Sequence, residues 1–345
     1  MNVLLFIIDG NNSGGKFRHC GHLTGFPNYF CRICNFAAVM HPIDTLRINF
    51  NPDQLALLNV AMAFLMFSVA LDMRPADFRK VARFPKSIAV GMVAQYLLFP
   101  VLTLGIIALF QPPTSMALGM VLVSMCPSGN MTNFLVHFSG ANTALSVTFN
   151  AIIILLATVV TPAGFLFWSQ FVPESEALRK SFDLGAADMA LIILQLILAP
   201  LLFGMWLNSR FPDFVARIRP WVQRVALVLF FSILVMALLG NGENLVNYLG
   251  SVFFIVLVHN ALGLGAGYGM GRLARLPEGD SRTLAFETGV HNTALGLLLI
   301  FRFFNALGGM ALVAAWWGIW DLVTGIGLAA WWRRNPPSAE QIKPE

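Results

Sequence analysis

A glutamate and a histidine stand four residues apart in "FETGVHNTALG" (Phe286–Gly296), inside a run otherwise built of apolar side chains. In such surroundings a carboxylate or an imidazole costs several kcal/mol unless something compensates it. A second polar group lies far upstream in "CPSGNMTNFLVHF", which carries Thr132 and Asn133, and is followed by Ser146 and Asn150. Ser146 and Asn150 are four apart and so share one face of a helix. Amide, hydroxyl and carboxylate oxygens, together with free main-chain carbonyls, are the ligands a small hard cation such as sodium takes, and the ion would neutralise Glu287. Single Ser, Thr and Asn side chains also act as hydrogen-bond glue between membrane helices, whereas a lone intramembrane carboxylate marks a site by default.

The elements that must position these groups are membrane spans. Of 345 residues 57% are hydrophobic and 11% charged, with mean hydropathy +0.72, against roughly 25% charged residues in a soluble domain. The net charge of +5 sits in short loops between apolar runs, which is an orientation signal and gives no reason to expect nucleic-acid binding. Four cysteines, Cys20, Cys31, Cys34 and Cys126, imply no disulfide framework. Nine segments are long and apolar enough to span: 55–72, 87–110, 115–138, 142–168, 184–207, 221–240, 249–271, 282–303 and 308–332. The loops after the first, fifth and seventh are rich in arginine and lysine, those after the second, fourth, sixth and eighth hold few (Arg179, Lys180, Arg302), and Arg333 and Arg334 follow Trp331 and Trp332 at the end. The positive-inside rule then puts the N-terminus outside and the tail, 333–345, in the cytoplasm of a cell (inner) membrane.

Residues 1–39 stand apart as an N-terminal extension, non-native or disordered, without a basic n-region, and a second start, "MHPIDTLRINFNPDQ", begins at Met40. Cys20, His22, Cys31 and Cys34 are a loose zinc-type set at irregular spacing, a weak motif beside the reading of an extension without function.

Two spans are interrupted at their middles. In the third, Pro127 lacks an amide hydrogen and Ser128 and Gly129 are poor helix formers; the eighth breaks at "ETGVHN". Broken helices are tolerated at membrane depth only where protein or a wet cavity covers the freed backbone. One break in each half of the chain suggests an inverted repeat with ion and ligand sites where the discontinuous helices meet.

These residues resemble a known family. "CPSGNMTNFLVHFSGANTALSVTFNAI" and "ETGVHNTALG" are similar to the two crossover motifs of the bile acid:sodium symporter family, and the likeness runs from about Met40 to the last span. The resemblance implies an all-α polytopic fold of nine or ten helices with two broken, crossing spans, here the third and eighth of about nine. Within a single transporter domain, 40–332, the panel would comprise 55–72, 184–207 and 221–240, and the core the other six spans. It implies sodium-coupled symport of an organic anion (bile acid-like, pantoate-like or a keto acid) by alternating access, using one or two Na+ ions. The lipid bilayer and this substrate would be its partners, with no obligatory protein partner and no enzymatic activity.

Carried over residue by residue, the first sodium site would be Thr132, Asn133, Ser146, Asn150 and Glu287, and the second Gln95, Glu287, His291 and the carbonyls of Thr288 and Val290. Asn130 and Asn292 flank the breaks and would touch the substrate; Asp321 would contact it too, or pair with His291 or His259. His291 departs from the family, which usually has glutamine there: the second site is weakened, or the imidazole carries a proton in the ion's place, or it is a neutral hydrogen-bond donor. His259, His137 and Asp188 read as structural or interfacial groups. A metalloid (arsenite-type) permease would use a thiolate such as Cys126, and a proton-coupled carrier would use His291. A membrane enzyme would need a motif such as HExxH, which the sequence lacks.

Overall fold

Proline and glycine set most of the element boundaries. The computed structural model describes residues 84–176, 194–239 and 248–335 continuously, with 6–7, 18–19, 42–46, 178, 191 and most of 60–71. The chain divides into two units, Met1–Val39 and Met40–Glu345. In the first, Phe6–Ile7 (β1) pairs antiparallel with Arg18–His19 (β2); Cys20, His22, Cys31 and Cys34 lie outside the described residues.

The regular elements among the described residues of the second unit are helices. Pro42–Thr45 forms α1, and the described positions between 60 and 70 are helical, within the first predicted span. The second span is α2 (Pro85–Val93), a π-helical stretch (Ala94–Leu98) and α3 (Phe99–Phe110). Pro100 explains the irregularity: it has no N–H for the Tyr96 carbonyl and its ring crowds that carbonyl, so the turn widens and Phe99 N–H donates to Ala94 O instead. The same device recurs at Leu194–Leu198, ahead of Pro200 in α7 (Ala199–Arg210).

Both predicted breaks are present. α4 (Thr114–Met125) stops where Cys126 turns extended before Pro127, and α5 (Asn130–Ser139) follows, ending at Gly140 in the left-handed region (φ 72°). α6 (Thr143–Trp168) starts on the Asn142 side chain, which accepts from Leu145 N–H (3.1 Å). α8 is Pro212–Leu239 and α9 Leu249–Leu273; α10 (Glu278–Gly289) and α11 (Thr293–Phe303) form the other broken span, and α12 is Gly308–Arg334.

Two predicted boundaries move. The eighth span, predicted from 282, starts at Glu278, because Pro277 supplies a helix start and buried partners take up the polar first turn. The sixth, predicted from 221, starts with Pro212 at its first position, in an exposed first turn, and carries Pro220 inside. Among the described residues five spans are long and apolar enough to cross a membrane; α4 is apolar but shorter. Within their most apolar windows 89% of Glu278–Phe303 is buried by protein, against 39–44% for the other four, so the α10–α11 span is the enclosed element.

Small residues let α10 be enclosed this tightly. Gly263, Gly267 and Gly271, four apart on α9, lie against Gly289, Leu284 and Ser281, and a Cβ at Gly267 would collide with the Leu284 main chain. Polar contacts tie the ends. Ser87 Oγ and Asn142 Nδ2 donate to Asp280 Oδ2 (2.5 Å) and Oδ1 (2.8 Å), so the starts of α2, α6 and α10 meet. Arg282 Nη1 donates to Asn335 O (2.7 Å), bringing the end of α12 there too. At the other end, Asp44 accepts from Ser115 N–H (2.7 Å) and Leu46 O from Gly308 N–H (2.9 Å).

Candidate functional site

The two breaks touch: Asn292 N–H donates to Pro127 O (2.8 Å), and Gly129 packs against Asn292. α10 presents Glu287 to the first break and to α6. Ser128 Oγ donates to Glu287 Oε2, and Ser146 Oγ donates to Oε1 (2.5 Å). Asn150 Nδ2 lies 3.3 Å from Oε1 and 3.2 Å from Asn133 Oδ1. Ser146 Oγ is also 2.8 Å from Asn133 Oδ1, and Ser128 Oγ 3.1 Å from Asn150 Oδ1. Four side-chain oxygens (both of Glu287 and the amide oxygens of Asn133 and Asn150), with about two lone pairs each, therefore share the four protons of two hydroxyls and one amide group, and that amide also approaches Gly129 O, which already accepts from Thr132 N–H. A surplus of oxygen lone pairs around a buried carboxylate is the condition a small cation relieves. Thr132 is buried nearby on α5, its hydroxyl without a partner.

Gln95 approaches from the π-helical turn. Its amide nitrogen donates to Cys126 O (3.0 Å), a carbonyl freed by the first break, and lies 3.1 Å from His291 Nε2. The amide nitrogen, which also lies 3.4 Å from Ser124 O, is a donor only, so in this contact His291 Nε2 is the acceptor. Gln95 Oε1 is buried without a partner. The His291 ring stacks on Phe99 at 5.3 Å, His259 stacks on Phe99 at 4.7 Å, and Trp317 meets both imidazoles edge-on. Thr103 gives its proton to Phe99 O, so His259 Nε2 donates to Thr103 Oγ1 (2.7 Å).

Thr288 and Val290 stand at the second break, which α9 and α12 hold open. Asn260 Nδ2 donates to Gly289 O (2.9 Å) and to Asp321 Oδ1 (2.9 Å), and Asp321 Oδ2 accepts from His291 N–H (2.9 Å). Asp321 thus meets the His291 main chain, not either imidazole, and its oxygens face protein donors. Asn292 caps α11 through Leu295 N–H (3.2 Å) and is half-buried. Asn130 opens α5, but its side chain, like Asp188, lies outside the described residues; His137 is exposed. Cys126 is buried with Sγ against Gly296 on α11.

Ser128 and Asn260 escaped the sequence reading. Ser128 lies within the quoted break and its hydroxyl type was the available signal; nothing local marks Asn260, whose partners are 29 and 61 residues away.

Comparison with known proteins now decides the class. The model of the sodium bile acid symporter family matches residues 59–248, more than half of the chain. The chain belongs to this family. It is 28% identical over 279 residues to a protein of Bacillus subtilis named as an uncharacterized sodium-dependent transporter, YocS, covering 81% of this chain and 83% of that one. It is 31% identical over 278 residues to a probable sodium/metabolite cotransporter, BASS2, of rice chloroplasts, and 26% identical over 282 residues to BASS1 of Arabidopsis thaliana. These matches cover 75% and 81% of this chain but only 64% and 67% of the plant relatives. The second break lies beyond the family-model match, within the longer stretch held by Met40–Glu345.

Proposed function

We propose that this member of the sodium bile acid symporter family couples sodium entry to uptake of a small organic anion by alternating access in the cell membrane. The oxygen surplus around Glu287 carries the reading: Thr132, Asn133, Ser146, Asn150 and Glu287, joined by Ser128, are the ligands of one sodium ion. A second ion sits at the other break, with Gln95 Oε1 and the carbonyls of Thr288 and Val290. The anion sits between the N-termini of α5 and α11, beside Asn130 and Asn292, where the helix dipoles favour negative charge. The names of the relatives, sodium-dependent transporter and sodium/metabolite cotransporter, support the coupling ion and a small-molecule cargo. Core and panel domains related by an inverted repeat supply the rocking motion, with the N-terminus outside and the C-terminus in the cytoplasm.

Glu287→Gln keeps the volume and removes the charge. Sodium-driven uptake into proteoliposomes is expected to fall to background while the purified variant keeps a cooperative thermal transition. Equal uptake by both proteins across a sodium titration refutes the reading.

A further inference from the structure

The corner where α7 ends and α8 begins joins two apolar runs, the predicted spans 184–207 and 221–240, which places it at a membrane surface. From Arg210 to Leu239 the chain carries four arginines and a single acid, Asp213, and no charge follows Arg224. Helical periodicity sorts the first turns of α8 into faces. Val215 and Ala226 are buried, with Ile218 and Val222 partly so, and mark the side packed against protein. Phe214, Arg217, Trp221, Arg224 and Val228, three or four apart, form a second stripe that is exposed from end to end, Trp221 at 67%. Arg219 falls on a different side. On α7, Leu202, Phe203, Trp206 and Arg210 share an exposed face, which reaches α8 through the contact of Trp206 with Phe211 (6.2 Å). Each stripe thus leads from arginine at the corner to apolar side chains deeper in the span.

The Arg224 guanidinium lies over the Trp221 ring (5.5 Å) and that of Arg210 over Phe211 (5.9 Å). A guanidinium resting on an aromatic face keeps its edge N–H groups for a bidentate oxyanion. Arg272 and Arg282 both spend theirs on Glu278, whereas among the described residues no carboxylate pairs with Arg210, Arg217 or Arg224. We propose that this arginine and aromatic stripe is a docking surface for anionic phospholipids, whose phosphates bind Arg217 and Arg224 and whose acyl chains lie along the apolar flank. Tryptophan at headgroup level suits that depth. On the orientation proposed above, the corner meets the cytoplasmic leaflet, where anionic lipids attract basic segments. A second copy of the chain would set like charges against each other across a two-fold axis. The surface lies apart from the sodium and anion sites and does not depend on them.

The test is thermal unfolding of the full chain in phosphatidylcholine nanodiscs holding increasing fractions of phosphatidylglycerol with the same acyl chains. The wild-type midpoint is expected to rise with phosphatidylglycerol. An arginine near an anionic surface contributes about fivefold in affinity, so Arg217→Gln with Arg224→Gln should raise the half-effective fraction more than about tenfold. Arg333→Gln with Arg334→Gln, at the end of α12, should leave it unchanged. Should the first pair fail to fold, Arg224→Gln alone decides, with a shift of about fivefold. A wild type indifferent to phosphatidylglycerol, a first pair that responds as wild type does, or an equal shift in the second pair overturns the proposal. Inorganic phosphate that replaces the lipid's effect overturns it too, as does a wild-type dimer that the first pair of substitutions dissociates.

Discussion

The Ser128 hydroxyl has one proton and two acceptors in reach, Glu287 Oε2 and Asn150 Oδ1, so it can offer lone pairs to an ion while its proton stays bonded. A hydrogen bond to a charged group is worth about 1.5–3 kcal/mol, and every ~1.4 kcal/mol is a factor of ten in affinity. Ser128→Ala is therefore expected to raise the half-saturating sodium concentration about tenfold or more, read from uptake rates at fixed substrate. His291→Gln works the other way. Replacing an imidazole nitrogen that only accepts from Gln95 by an amide adds an oxygen at the second break, and half-saturating sodium is expected to fall. An unchanged sodium curve would show that position 291 faces no ion. Glu287 and the Ser146–Asn150 pair were legible in sequence, because a carboxylate in an apolar run and an i, i+4 spacing are local signals.

At the scale of elements, Asp280 joins three helices that carry the proposed ion ligands. It lies seven residues before Glu287, its partner Asn142 lies four before Ser146, and its partner Ser87 eight before Gln95, so one polar layer sets the register of another one to two turns away. Asn142 also caps α6, so loosening this contact lets the start of α6 slide relative to α10. Asp280→Ala is expected to weaken sodium affinity several-fold, with a smaller loss of maximal uptake. The exchange Asn142→Asp with Asp280→Asn keeps a cap and an amide–carboxylate pair and should restore the affinity, whereas either single change should not. Failure of the exchange to restore it would reduce Asp280 to a general stabiliser. The helix breaks were readable from Pro127 and Gly129, but the π-helical turn under Gln95 was not: Pro100 marks an irregularity, and only the packed helix shows that it is resolved by widening the turn.

For the whole molecule, the ends of the helices sort into two groups. Ser87, Asn142, Asp280 and Asn335 gather at one end, and Asp44, Ser115 and Gly308 at the other. This fits the alternation of loops that the charge pattern predicts. A tag at the C-terminus is expected to be reachable by an impermeant reagent only from the cytoplasm, and one placed after Met40 only from outside. Labelling of both from the same side would refute an odd number of spans. Removal of residues 1–39, a separate unit, is expected to leave uptake unchanged; a loss that zinc chelation reproduces in the full chain would assign a role to Cys20, His22, Cys31 and Cys34.

Sequence alone determined that this chain is built of membrane-type apolar helices, that two of them are broken and that Glu287 is a candidate site, because hydropathy, proline and a stranded carboxylate act within a few residues of themselves. Its two crossover motifs sufficed to point to the family. Tertiary structure alone decided what each polar group faces. Asp321 lies 30 residues from His291 and 61 from Asn260, and Asp280 lies 138 from Asn142. Hydrogen bonds act over about 3 Å, so partners this far apart along the chain are chosen by helix packing, here the glycine-lined contact that seats α10 against α9.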